Sequence, residues 1–94
     1  MDLENIWSVF LEKIEMKVKN VLFQTWFKET KLVKLDEAKA TILVPLEVHK
    51  KHLKENYNDL IKETFMEVTG SIFEFEYITE GDNEEIIPIK ENNE

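Results

Sequence analysis

The sequence predicts a small α+β domain. Its elements run helix, helix, strand, strand, helix, strand, and a three-stranded sheet packs against the helices. Three observations predict it. Apolar residues recur at helical spacing over residues 3–19. Two β-prone runs, "KLVKL" and "ATILVPL", are separated only by "DEAK". A second helical stripe over residues 47–69 stops at Gly70 and gives way to the alternating "SIFEFEYI".

The first helix carries Leu3, Trp7, Phe10, Leu11, Ile14 and Val18 at steps of three and four, one amphipathic face. Asp2 can cap it by accepting from a first-turn amide. Val9 and Met16 fall on its other side. Asn20 can end this helix and cap a short second one over residues 21–28. There Leu22 and Trp26 share one face and Phe23 and Phe27 another. So wide an apolar arc predicts a helix wedged between other elements, with Phe23 and Trp26 as core.

In the hairpin, Asp36 suits the turn, and Pro45 ends the second strand because it has no amide proton to donate. Residues 47–69 read as one long helix whose buried stripe is Leu53, Tyr57, Leu60, Ile61, Thr64, Phe65 and Val68. Gly70 suits the left-handed position just past a helix end. In the last strand Phe73, Phe75 and Tyr77 share a face, with Glu74 and Glu76 opposite. The dense Glu, Asp, Asn and Gly after Ile78 predict a flexible tail over 79–94, with "EIIPI" its one sticky segment. The expected domain is residues 1–78.

At 94 residues the chain is one domain with a thin stability margin. It has no cysteine, and so no disulfides and no thiolate chemistry. No apolar run is long enough to cross a bilayer, and the acidic start does not read as a secretory signal, so a cytoplasmic location is expected, with no membrane contact. The formal charge of −8 is uneven. Residues 79–94 hold six acids against Lys90, a net of −5, which leaves −3 for the body. That balance opposes general affinity for polyanions but allows a local basic patch.

Catalytic motifs are missing. The two glycines, Gly70 and Gly81, are isolated, so no phosphate-cradling loop can form. "HKKH" places His49 and His52 three apart, yet no third ligand accompanies them. No catalytic residue, metal site or cofactor site is expected. Lys50, Lys51 and Lys54 form a locally basic helix end that can touch phosphates. The competing reading is a solvated face with Glu47–Lys51 and Lys51–Glu55 pairs. The absence of arginine removes the usual bidentate reader of guanine.

The pieces "ENIWSVFLEKIEMKV", "LFQTWFKETKLVKL", "ATILVPLEVHKKHLKENY" and "IKETFMEVTG" together resemble the N-terminal domain of the DnaA family of bacterial replication initiators, over residues 3–78. The resemblance rests on the ordered combination rather than on one motif. It implies a fold similar to a K-homology (KH) domain and no catalysis. It implies weak initiator–initiator contacts, help in loading the replicative helicase at the origin, contacts with regulatory proteins and weak single-stranded DNA binding. ATP, the AAA+ ATPase and duplex origin recognition belong to later domains of that family, so this chain is expected to be a fragment ending in the start of a linker.

The resemblance also assigns residues. Trp7, with Ile6 and Phe10 beside it, matches the self-association region, while periodicity equally puts Trp7 in the core. Leu22 stands where some members carry a helicase-contacting glutamate. The family pattern of Pro-Asn and then an aromatic becomes Pro45, Leu46 and Val48 here. Leu46, Val48 and Leu22 are therefore the expected helicase or regulator contacts. His52 falls where many members have tryptophan. Loss of the Asn cap at Leu46 would cost about 1 kcal/mol if nothing replaces it. The alternative function is a KH-like single-strand binding module, weakened by the missing GxxG loop.

Overall fold

A computed structural model describes residues 2–82. The sticky "EIIPI" and the rest of the tail, residues 83–94, lie outside them. The architecture is α+β, with a three-stranded sheet of order β1-β2-β3 packed against several helices. The element order differs from the expected one, because both predicted inner helices are interrupted.

Helix α1 spans Leu3–Lys17, and Asp2 caps it by accepting from the Asn5 amide at 2.7 Å. Of the expected stripe, Trp7, Phe10 and Ile14 are buried, Leu3, Leu11 and Val18 are half-buried at its margin, and Ile6, outside the expected stripe, is buried as well. Val9 is half-buried and Met16 is exposed. Lys17 fastens this helix to the other large one, donating to the Thr64 hydroxyl at 3.0 Å and to Glu67 at 2.8 Å.

The second helix is not a plain α-helix. A single turn, α2 at Asn20–Leu22, runs into a π-helical turn over Phe23–Phe27, closed by the Lys28 amide donating to the Phe23 carbonyl at 3.0 Å. Phe23 and Phe27 are buried in it, and Leu22 and Trp26 only half so.

Strands β1 (Lys31–Leu35) and β2 (Lys39–Leu43) are antiparallel, with a bulge that leaves Val33 out of the register. Asp36 makes the turn: its carboxylate accepts from the Lys39 amide at 3.0 Å, and its own amide donates to the Lys39 carbonyl. Strand β2 stops two residues before Pro45. Strand β3 is only Glu74–Ile78 and pairs with β2 in parallel. The inner sheet face carries Leu32, Leu35, Ala40, Ile42, Phe75 and Tyr77, and the outer one Lys34, Lys39 and Glu76, with a Lys39–Glu76 ion pair at 2.9 Å.

The predicted long helix is two. α3 covers Glu47–Asn56 and α4 covers Asn58–Thr69, with Tyr57 between them at φ −123°, ψ 7°. Asn on either side of Tyr57 favours a break, since its amide competes for backbone hydrogen bonds. The break is held by packing, as the Tyr57 ring meets Phe27 edge-on at 5.1 Å. α4 then packs on α1. Phe65 sits at the centre of the core with no exposed surface, its ring 5.2–6.0 Å from those of Trp7, Phe10, Phe73 and Phe75.

Gly70 ends α4 at φ 82°, its amide donating to the Met66 carbonyl. A Cβ there would meet nothing within 4 Å, so a larger residue suffers only the left-handed backbone. Gly70→Ala is expected to cost about 1–2 kcal/mol for that reason alone. A denaturation midpoint equal to wild type would contradict it.

The folded chain does not end at Ile78. Thr79 is buried and residues 80–82 are helical. The first four residues of the expected tail, 79–82, are thus placed against the domain.

Candidate interaction surfaces

Two surfaces carry the residues singled out in the sequence. The first surrounds Trp7 on α1. Trp7 is 5% exposed, stacks on Phe10 at 4.1 Å, and donates from its indole Nε1 to the Thr30 hydroxyl at 3.0 Å. Thr30 in turn donates to the Phe27 carbonyl at 2.6 Å, so the indole proton enters a satisfied buried network. Phe10 has no accessible surface and Ile6 very little, so Phe10 cannot touch a second molecule in this fold. The face that remains open is a hollow of about 260 Å³, lined by the edge of Trp7 with Glu4, Ser8, Leu11, Thr30, Lys31 and Leu32.

The second surface lies where the π turn meets α3. Leu46 is 59% and Val48 56% exposed, while Leu22 is half-buried. Leu46 occupies the N-cap of α3 with no side-chain hydrogen bond, so the missing Asn cap is not replaced there. Glu47 supplies an acid in the first turn, which the helix dipole favours.

Both histidines serve this surface, and neither is placed as a metal ligand. His49 is buried, and its Nε2 lies 3.0 Å from the Thr25 carbonyl. A carbonyl only accepts, so Nε2 carries the proton. Among the described residues, His49 Nδ1 is enclosed without a partner. His52 stacks on Trp26, centroids 3.7 Å apart and planes at 16°, while Trp26 also meets His49 edge-on at 5.0 Å. Trp26 is therefore not simple core. It is a half-exposed ring clamped by two imidazoles, and spacing alone missed this. The signal was present in "HKKH", whose three-residue step turns both rings toward one neighbouring helix. Among the described residues, no group of three His, Cys, Asp or Glu could hold a metal. A shallow hollow of about 150 Å³ opens between Val48, Lys51, His52, Glu55 and Asn56.

The three lysines are not equivalent. Lys50 is engaged, pairing with Glu47 at 3.1 Å and with Asp82. Those carboxylates hold its ammonium above the ordinary lysine value, Asp82 first. Lys51 and Lys54 are exposed. The expected Glu47–Lys51 and Lys51–Glu55 pairs do not form among the described residues; Glu47 pairs with Lys50 instead.

The family model of the DnaA N-terminal domain matches residues 4–67, more than half of the chain. The chain belongs to that family. It is thus a domain of a DnaA-type initiator that works through protein contacts rather than catalysis. Over 93 residues it is 32% identical to the chromosomal replication initiator protein DnaA of Thermodesulfovibrio yellowstonii, an alignment covering 99% of this chain. The chain spans only 21% of that relative's length. Within this DnaA N-terminal domain, the matched region includes α1, the π turn, the hairpin and α3, and so both surfaces described above. No described helix is long and apolar enough to cross a membrane.

Proposed function

We propose that this domain joins initiator molecules to one another through the α1 hollow, and binds the replicative helicase or a regulator through Leu22, Leu46 and Val48. One observation carries the second contact. Two large apolar side chains, Leu46 and Val48, stand exposed on one helix start beside a clamped, half-exposed tryptophan. Exposed apolar groups around a rigid aromatic are the composition of a contact centre. An equilibrium titration of the cognate replicative helicase into the chain tests it: saturable binding supports the reading, and no binding at accessible concentrations removes it.

Self-association uses the rim of the hollow, namely Glu4, Ser8, Leu11 and the exposed edge of Trp7, with Ile6 and Phe10 supporting from beneath. Ser8 is exposed, so Ser8→Arg fills the hollow's lip without touching the core. It should weaken self-association by about tenfold, equivalent to 1.4 kcal/mol. Unchanged sedimentation across concentration would sink the assignment.

The KH-like description belongs with this reading as a matter of shape. Single-stranded DNA binding, the second reading, rests on the exposure of Lys51 and Lys54. With Lys50 already paired and no GxxG loop, such binding is weak and falls steeply with salt. ATP binding and duplex origin recognition are assigned to other parts of a longer initiator, acting in the cytoplasm.

A further inference from the structure

After β3 the chain turns back onto α3. The Thr79 amide donates to Asp82 Oδ2 at 3.0 Å, and the Thr79 hydroxyl lies 3.3 Å from the same oxygen. Thr-x-x-Asp here makes the back-reaching half of a capping box: the fourth residue's carboxylate accepts from the cap's amide, while the Thr79 hydroxyl turns to Glu47. The box is tied to the domain by two bonds. Thr79 Oγ1 donates to Glu47 Oε2 at 3.1 Å, and Asp82 takes the ammonium of Lys50. Lys50 is shared with Glu47, so one lysine and one threonine both bridge the two carboxylates, Glu47 and Asp82, across two distant segments.

We propose that this capping box is a latch, which holds the outgoing chain on the first turn of α3 and fixes where the next segment leaves the domain. Glu47 and Lys50 flank Val48, so the exit point lies beside the surface proposed to receive the partner. The latch itself does not depend on that reading.

The groups facing Asp82 are Lys50 and Glu47 from α3 and Thr79 from its own segment, with Glu80 beside it in sequence. Lys50 first, and the Thr79 amide next, hold the Asp82 carboxyl below its ordinary value. A carboxyl depressed by folding stabilises above its unfolded value and loses that contribution as pH falls through the folded one. The ion pair in the latch is therefore intact at neutral pH, and it weakens as pH falls through the lowered Asp82 value or rises through the raised Lys50 value.

Amide hydrogen exchange on the full chain at neutral pH tests this. In Asp82→Asn, the Thr79 amide should exchange about tenfold faster, the scale expected when a charge-assisted hydrogen bond is weakened. Thr79→Val, which keeps the shape but loses the hydroxyl contacts to Glu47 and Asp82, should accelerate the amide of residue 79 in the same way. Core amides of Ile42 and Phe65 should not change in either variant. Unchanged exchange at residue 79 in both variants overturns the proposal. So does equal acceleration of the core amides, which would make these contacts part of the global fold rather than a local latch. Since no helicase is present, the outcome is independent of the partner assignment.

Discussion

Trp7→Ala is expected to cost about 3–5 kcal/mol of folding stability, the range for truncating a buried large aromatic. The side chain stacks on Phe10, packs against Phe65, and satisfies its one polar atom on Thr30. Truncation opens a cavity beside the fully buried Phe65 and strips the Thr30 hydroxyl of its donor. A domain of this size has roughly 5–15 kcal/mol in total, so the variant loses a large share of its margin. Chemical denaturation measures it, and a loss below about 1 kcal/mol would show that the indole is not the packing element described. The same figure governs how self-association should be tested. A loss of dimer in Trp7→Ala reports unfolding as much as contact, whereas Ser8→Arg on the rim reports contact alone.

Val48→Glu is expected to weaken helicase binding at least about tenfold, with folding stability changed by no more than about 0.5 kcal/mol. Stability is spared for a stated reason. Val48 is more than half exposed and sits in the first turn of α3, where a carboxylate is favoured by the unpaired amides. Lys51 and His52, lining the same hollow, lie one turn on and can accept the new charge. Binding suffers because the carboxylate must be desolvated in an apolar contact. Undiminished binding in a titration, with the variant folded, removes Val48 from the interface.

Much of this domain was legible in the sequence, and the misses have particular causes. The α1 stripe, the span of β1, the Asp36 turn and the Gly70 stop follow from period, pairing and backbone allowance. The break at Tyr57 was hidden because Tyr57 itself packs inward on Phe27, so the apolar period runs unbroken through a point where the hydrogen bonds are interrupted. The only sequence mark is the pair of asparagines around it. The π turn at 23–27 is invisible to spacing, since four apolar residues in six fit either helix type. Trp26 was assigned to the core because a tryptophan on a short apolar helix usually is. What decides its exposure is a pair of imidazoles on another helix. The Thr79–Asp82 contact is hard to see in the sequence because the acidic composition around it masks a four-residue signature. At the candidate surfaces, Leu46 and Val48 are singled out by their place in the family pattern, and their exposure is a finding of the structure, while the pairing of Lys50 needs a carboxylate 32 residues away in the chain.

The parallel pairing of β2 with β3 has a consequence for how the domain is made. Hairpin β1–β2 can form from adjacent residues as soon as they are available. The other edge of β2 has no partner until residues 74–78 arrive, after both α3 and α4. Closing that span must precede the reward from its contacts, and this places the crossover late in folding. Until then the central strand presents an open edge, the kind of surface on which chains pair wrongly. A nascent or truncated chain stopping before β3 is thus the form most prone to aggregate.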